Sequence, residues 1–303
     1  MLSKRTALTT ALTIILTAFC FVSSFAQSMD SLRMDIAKIL STKNATVGVS
    51  IMGMKAKDTL SFNGNTHVPM QSVFKFHIAL AVLDQVDKGR LKLDQYIPIS
   101  KEDVKPDYYS PIRDSFPDGT SMALSRLLEY TVCMSDNVGC DVLLRLIGGP
   151  KVVQTYLRKN GIADVQIVHN EETMQSNWSN QYENWTTANC ANQLLRKYYK
   201  NKKKLLSKKN YKFLWDLMKS TSTGPMRLKG QLPENTVVAH KTGTSGENEV
   251  GKIAAVNDIG IVFLPNGNYY FISVFVSDSM HSYEENEKII ADISKAAYAH
   301  FLR

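Results

Sequence analysis

Ser72-Val73-Phe74-Lys75 sets a hydroxyl and an amine three residues apart inside an apolar stretch. On a helix, residues three apart share one face. The neighbours Val73, Phe74 and Phe76 are apolar, so Lys75 is not on an ordinary wet face. A serine needs a base to become a nucleophile. A desolvated amine in a cationic neighbourhood can have its pKa lowered enough to serve. A helix start beneath Ser72 would also favour developing negative charge. A capping serine and a solvated lysine are the commoner meaning of such a pair, so the rest of the chain has to decide.

Two further stretches bear on it. Ser135-Asp136-Asn137 sits where one helical pattern passes to the next. Its hydroxyl can relay a proton to a leaving nitrogen, and Asn137 can donate to a bound amide carbonyl. Ser, Asp and Asn are equally the favoured helix caps. Lys241-Thr242-Gly243-Thr244 heads a run of strands. An edge strand can bind an extended substrate through its free backbone groups. Lys241 offers a positive charge to a carboxylate, and Thr242, Thr244 and Ser245 offer hydroxyl donors. Gly243 would keep the approach clear. A turn is the simpler alternative, since Gly243 and Gly246 flank small polar residues.

Working outward, residues 28–40 pattern as an amphipathic helix, with Leu32, Ile36, Ile39 and Leu40 near one face. Residues 45–54 and 59–62 pattern as a hairpin. Helical patterns follow at 73–86, 120–135, 138–147 and 152–158. The segment 168–185 is polar, aromatic-rich and aperiodic, and long loops of that kind are unusual unless functional. Helices resume at 187–199 and 210–219. Strand patterns at 252–255, 258–264 and 269–276 form an antiparallel meander, and residues 284–302 close as a helix. The two ends supply a sheet with terminal helices, and the middle supplies a helical insertion. The expected fold class is therefore α+β in two lobes: an antiparallel sheet of about five strands flanked by helices, and an all-helical lobe. The discontinuous α/β lobe takes residues 27–65 and 216–303. The helical lobe takes 66–215, including a loop at about 166–185.

Lys4 and Arg5, an apolar run over residues 7–21 and the small-residue stretch ending at Ala26 are the pattern of a cleaved signal peptide, residues 1–26. The run is short for a membrane span, and no second stretch of spanning length follows. Export to the periplasm is expected, with no stable membrane anchor. The net charge is +8. Much of the excess lies in residues 197–212, which suit a solvated helix surface better than a nucleic-acid site in an exported protein. Cys133 and Cys140 are seven residues apart, about 10 Å on a continuous helix, too far for a disulfide. There is no CxxC pair, no HExxH and no metal-ligand spacing among the six histidines. Neither metal nor other cofactor is expected.

The three motifs, in this order and behind a leader, resemble those of the serine penicillin-recognising enzymes, above all the class A beta-lactamases. The resemblance covers nearly the whole chain after the leader. It implies that Ser72 is acylated, with Lys75 as its partner, and that Ser135 passes a proton to the departing lactam nitrogen. It implies that Asn137 contacts the substrate amide and that Lys241, Thr242 and Thr244 hold the substrate carboxylate. The oxyanion hole would be the backbone N–H groups of Ser72 and Thr244. Tyr109 matches the aromatic residue at the site entrance. In the aperiodic loop, Glu171 matches the base that activates the deacylating water, with Gln175 four positions on as its partner. Arg227 matches an arginine that some class A branches place near the carboxylate site. A monomer acting on a small beta-lactam is the expectation.

The sequence also departs from the commonest class A form. Gln175 stands where asparagine is usual, the Arg before and the Leu after the glutamate are missing, and Gln71 precedes the nucleophile. No disulfide can join Gln71 to Ser245, as one carbapenemase branch would require. These departures resemble a divergent branch of extended-spectrum cephalosporinases. Two rivals remain: a penicillin-sensitive D,D-peptidase, which shares the three motifs but lacks the glutamate, and an inactive periplasmic binding or sensor module.

Overall fold

Alternation along one strand organises the molecule. In the computed structural model, which describes residues 29–303 apart from residue 56, strand Tyr269–Ser279 points Phe271 and Phe275 to one side. Tyr270, Ile272, Val274 and Val276 point to the other. Successive side chains on a strand take opposite faces, so a strand apolar on both is covered on both. The leader expected at residues 1–26 lies outside the described residues.

The main sheet has five strands: β1 (Thr46–Met52), β2 (Thr59–Phe62), β3 (Val238–Thr244), β4 (Ile253–Phe263) and β5 (Tyr269–Ser279). Their order is β2-β1-β5-β4-β3, antiparallel throughout, so β3 is an edge. Helices Met29–Leu40 and Tyr283–Leu302 cover one face, burying Leu32, Ile36, Ile289 and Ile293 against the sheet. A capping box between Ser282 and Glu285 starts the terminal helix.

The other face shares its core with the helical lobe, where Ile259, Ile261, Phe271 and Phe275 join one apolar cluster with the lobe's side chains. At the centre of that lobe runs helix Phe74–Asp87, buried at every residue from Phe74 to Leu83. A helix apolar all round has no wet face to present and becomes the core of its lobe. This two-lobe α+β architecture is the expected one. Among the described residues no helix is long and apolar enough to cross a membrane.

Three elements differ from the sequence reading. Residues 120–123 form a strand paired with Tyr96–Ile99, and the helix expected from 120 begins at Leu124. The strands expected at 252–255 and 258–264 are one strand. Asn257 and Asp258 are polar but wholly buried, and the Asn257 Nδ2 and the Asp258 carboxylate make side-chain hydrogen bonds without a turn. The aperiodic segment contains helix Glu171–Ser176, capped by Asn170, and a 3-10 turn Trp178–Tyr182, capped by Asn177. Both are too short to show a period. Cys133, Cys140 and Cys190 are buried free thiols. Cys133 and Cys140 lie on two successive helices, Leu124–Cys133 and Asn137–Ile147, because the helix breaks between them.

Candidate active site

Ser72 sits in a 3-10 turn, Gln71–Val73, that runs straight into the central helix. The turn is entered through a strained residue, Gln71 at φ 46°. The Gln71 side chain donates to Gln181 Oε1 at 2.7 Å, tying the turn that carries Ser72 to the loop that follows Glu171.

Lys75 is wholly buried one helical turn beyond Ser72. Its Nζ meets four oxygens: Ser72 Oγ at 2.7 Å, Ser135 O at 3.0 Å, Asn137 Oδ1 at 2.5 Å and Glu171 Oε1 at 2.6 Å. An ammonium has three protons, so one of these four contacts always lacks a lysine proton. A neutral amine instead has two protons and a lone pair, and the Ser72 hydroxyl can point its own proton at that lone pair. The arrangement suits proton exchange between Ser72 and Lys75.

Ser135 lies between two lysines. Its carbonyl faces Lys75, and its Oγ accepts from Lys241 Nζ at 2.8 Å. Ser135 holds φ 60°, a region costly for residues other than glycine. Its neighbour Asp136 is the cap: it accepts from the N–H groups of Gly139 and Ile112, both at 2.7 Å, and from Ser110 Oγ. Asp136 therefore serves structure, while Ser135 and Asn137 face Lys75. Burial, then the charge of Lys75, holds the Lys241 ammonium well below the usual lysine range.

Glu171 opens its short helix and is 2% exposed. Its second oxygen, Oε2, accepts from Gln175 Nε2 at 3.1 Å. Four-residue spacing on a helix makes this pair. Asp141 was not singled out in the sequence. Its carboxylate accepts the backbone N–H of Glu171 at 2.7 Å, that of Glu172 at 3.0 Å and the side-chain amide of Asn170 at 3.1 Å. It holds the N-terminus of the helix that carries Glu171. Burial, then the charge of Glu171, pushes its pKa up to about 7. The available signal was a carboxylate four residues after Asn137, within a mostly apolar helix.

Gly243 packs its Cα on the turn that carries Ser72. A Cβ there would lie 2.4 Å from Met70 O and 3.3 Å from Ser72 N. The close approach it permits is to this chain's own backbone. The Thr242 hydroxyl meets Thr223 Oγ1 at 2.5 Å. Thr244 Oγ1 accepts from Arg227 Nη2 at 2.7 Å. Arg227 itself is buried, paired with Glu287 and donating to the carbonyls of Gly243 and Asn257. It therefore reaches the site through Thr244. The Ser245 hydroxyl is engaged by the backbone of Gly246 and Ala255.

Two adjoining cavities meet at Ser72. One, of about 460 Å³, runs between the loop (Glu171, Gln175, Trp178) and the end of β3 (Ser245, Glu247). The other, of about 390 Å³, is walled by Ser135, Thr223, Thr242 and Gly243. Tyr109, Asn137 and Thr244 border both. Tyr109 is well exposed at the mouth. Among the described residues no cluster of His, Cys, Asp or Glu has the arrangement of a metal site.

The model of the beta-lactamase enzyme family matches residues 31–301. The chain is 51% identical over 284 residues to beta-lactamase VEB-1 of Pseudomonas aeruginosa, covering 94% of each chain. It is similar to the crystal structure of the TLA-1 extended-spectrum beta-lactamase, with TM-score 0.87 and 46% identity over 90% of this chain and 99% of that one. A class A beta-lactamase from Bacteroides cellulosilyticus aligns with TM-score 0.85 and 39% identity, over 89% of this chain and 97% of that one.

Proposed function

The chain belongs to the class A beta-lactamases, and from that membership we propose how its residues divide the hydrolysis of a beta-lactam ring. Ser72 Oγ attacks the lactam carbonyl carbon, and its proton leaves to the buried Lys75–Glu171 pair. The oxyanion is held by the N–H groups of Ser72 and Thr244. The ring C–N bond breaks, and the nitrogen takes a proton from Ser135 Oγ, which Lys241 holds at 2.8 Å; the proton held by the Lys75–Glu171 pair then passes to Ser135, leaving Glu171 ionised. Glu171 then takes a proton from a water that attacks the ester carbonyl. The acyl–Ser72 bond breaks and Ser72 regains its proton.

Binding follows the two cavities. Lys241, Thr242 and Thr244 take the substrate carboxylate, with Arg227 orienting the Thr244 hydroxyl. Asn137 has its Oδ1 turned to Lys75, which leaves its NH2 end for the substrate amide carbonyl. Gln175 fixes the Glu171 carboxylate. Tyr109 borders the entrance, and Ser245 shapes the end of β3. The side chain of the substrate lies toward Trp178 and Glu247. The room there, with the likeness to an extended-spectrum enzyme, supports turnover of bulky oxyimino cephalosporins. The chain acts as a monomer in the periplasm, exported behind residues 1–26, with no cofactor, nucleic-acid partner or stable membrane anchor.

The observation that carries the hydrolytic reading is Glu171, 2.6 Å from Lys75 and bonded to Gln175. It supplies the base that a D,D-peptidase lacks. Nitrocefin turnover by wild type and E171A tests it. Wild type should turn over rapidly, and E171A should accumulate acyl-Ser72, slowed by about 10²–10⁴-fold in hydrolysis. Trapping without turnover in wild type would indicate a peptidase, and no acylation a binding module. Steady-state kinetics with a penicillin, an early cephalosporin, an oxyimino cephalosporin and a carbapenem test the spectrum. Negligible turnover of the oxyimino compound rejects the extended-spectrum reading.

A further inference from the structure

Asn257 lies in the middle of β4, wholly buried. Its Nδ2 donates to Pro69 O at 2.9 Å and to Met70 O at 3.2 Å. Those carbonyls belong to the backbone just ahead of the nucleophile. Met70 O also accepts the Val73 N–H at 3.2 Å, the bond that closes the turn carrying Ser72. Gly243, the partner of Asn257 across β3 and β4, packs its Cα against the same carbonyl. From the other side, Arg227 donates to Asn257 O at 2.9 Å.

The cost of this arrangement is visible. Asn257 Oδ1 is buried without a hydrogen-bond partner. A buried acceptor left without a partner costs stability, because it gives up its hydrogen bond to water and gains none. A side chain serving only to fill the core would be better apolar. Gln71, between Met70 and Ser72, is held at φ 46°. Such strain persists only where the surroundings over-determine the backbone. The Asn257 amide and the Gly243 Cα are the two features that grip the carbonyl on the near side of that residue.

We infer that Asn257 is a positioning residue for the nucleophile: it fixes the Met70 carbonyl that closes the turn presenting the Ser72 hydroxyl and the Ser72 N–H. The inference rests on the reading of Ser72 as the acylated residue. Asn257 touches no substrate and acts through the backbone of residues 69–72.

The test compares N257L with N192L in the full chain. Asn192 is an equally buried amide, carried by helix Ala188–Lys200 against the sheet, donating to Ser50 O at 2.7 Å and accepting from Ser273 Oγ at 2.7 Å. Acylation by nitrocefin is followed by stopped flow, melting by calorimetry, and amide exchange at residues 71–73 by NMR. Displacing a reacting atom by about 1 Å costs on the order of 10²-fold. N257L should therefore slow acylation by roughly tenfold to a hundredfold, and should speed exchange of the Ser72 and Val73 amides. N192L should lose comparable stability and keep the wild-type acylation rate and exchange. N257S, with a short hydroxyl donor, should fall between wild type and N257L, and it carries the same comparison if N257L does not fold. Wild-type acylation in a folded N257L or N257S overturns the inference. An equal loss of acylation in N192L overturns it too. If wild type itself is not acylated, the reading of Ser72 fails, and unchanged exchange at 71–73 in the Asn257 variants still decides against the role of Asn257.

Discussion

Lys75 Nζ lies 2.6 Å from Glu171 Oε1, with both side chains buried. The pair joins the central helix to the loop helix and makes each charge the counter-charge of the other. Removing one partner leaves the other uncompensated in the interior, at a cost of about 3–5 kcal/mol, whereas replacing both can be nearly neutral. K75M should therefore melt well below wild type, and K75M/E171Q should recover much of the loss while remaining inactive. Calorimetry on the three proteins checks this. A double variant no more stable than K75M would show that the ion pair is not what the lysine contributes.

Asp141 gives the site a pH dependence of its own. Its folded pKa of about 7 lies above the ordinary 3.8. Between those values the folded chain holds a proton that the unfolded chain has released. Stability linked to Asp141 is therefore present at low pH and lost as pH rises toward about 7. D141N has no such loss. The melting difference, variant minus wild type, should grow more positive from pH 4 to pH 7. D141N keeps one acceptor oxygen where wild type offers two to the Glu171 and Glu172 N–H groups. Deacylation should slow while acylation is largely kept. A melting difference independent of pH would remove the case for Asp141 as a titrating residue.

Gly243 is required by contact, not by backbone angle. In G243A the new Cβ would press on Met70 O, a backbone atom that Asn257 also holds. Neither can shift without moving Ser72. The expected destabilisation is about 1–3 kcal/mol, with loss of nitrocefin turnover. G246A meets nothing within 4 Å at the new carbon and should melt like wild type. Equal melting of G243A and wild type would show that the strand can move away from the turn.

These consequences depend on residues of unequal legibility. Ser72, Lys75, Ser135, Glu171 and Lys241 could be singled out because the chemistry they suggest needs particular residue types in short motifs. The structure brings Ser72, Ser135 and Glu171 around the Nζ of Lys75, and Lys241 onto Ser135. The sheet was legible from alternation and the central helix from its largely apolar stretch, continuous from Ile78 to Leu83. Asp141 and Asn257 were hidden because they act on backbone groups. A carboxylate that caps a distant helix, or an amide that grips a carbonyl 187 residues away, leaves no local pattern. Asn257 fell in the break expected between strands 252–255 and 258–264, since buried polar residues in a strand depend on partners that only the fold supplies. Arg227 was legible as a needed cation, but its reach through Thr244 was not.

The backbone of Ser135 yields the last test, because strain and chemistry can be separated there. At φ 60°, any residue with a Cβ pays roughly 1–2 kcal/mol that glycine does not. S135A and S135G both delete the hydroxyl that Lys241 holds and that would protonate the leaving nitrogen. Both should lose nitrocefin acylation to a similar extent, since the missing atom is the same. They should differ in stability: S135G should melt above S135A by an amount corresponding to about 1 kcal/mol, the left-handed position being free of strain for glycine. If S135G acylates much faster than S135A, the left-handed backbone conformation, which glycine holds without strain, and not the hydroxyl, is what the site needs at this position. If the two melt together, the left-handed conformation at Ser135 is relieved elsewhere in the chain and stores no strain for the site.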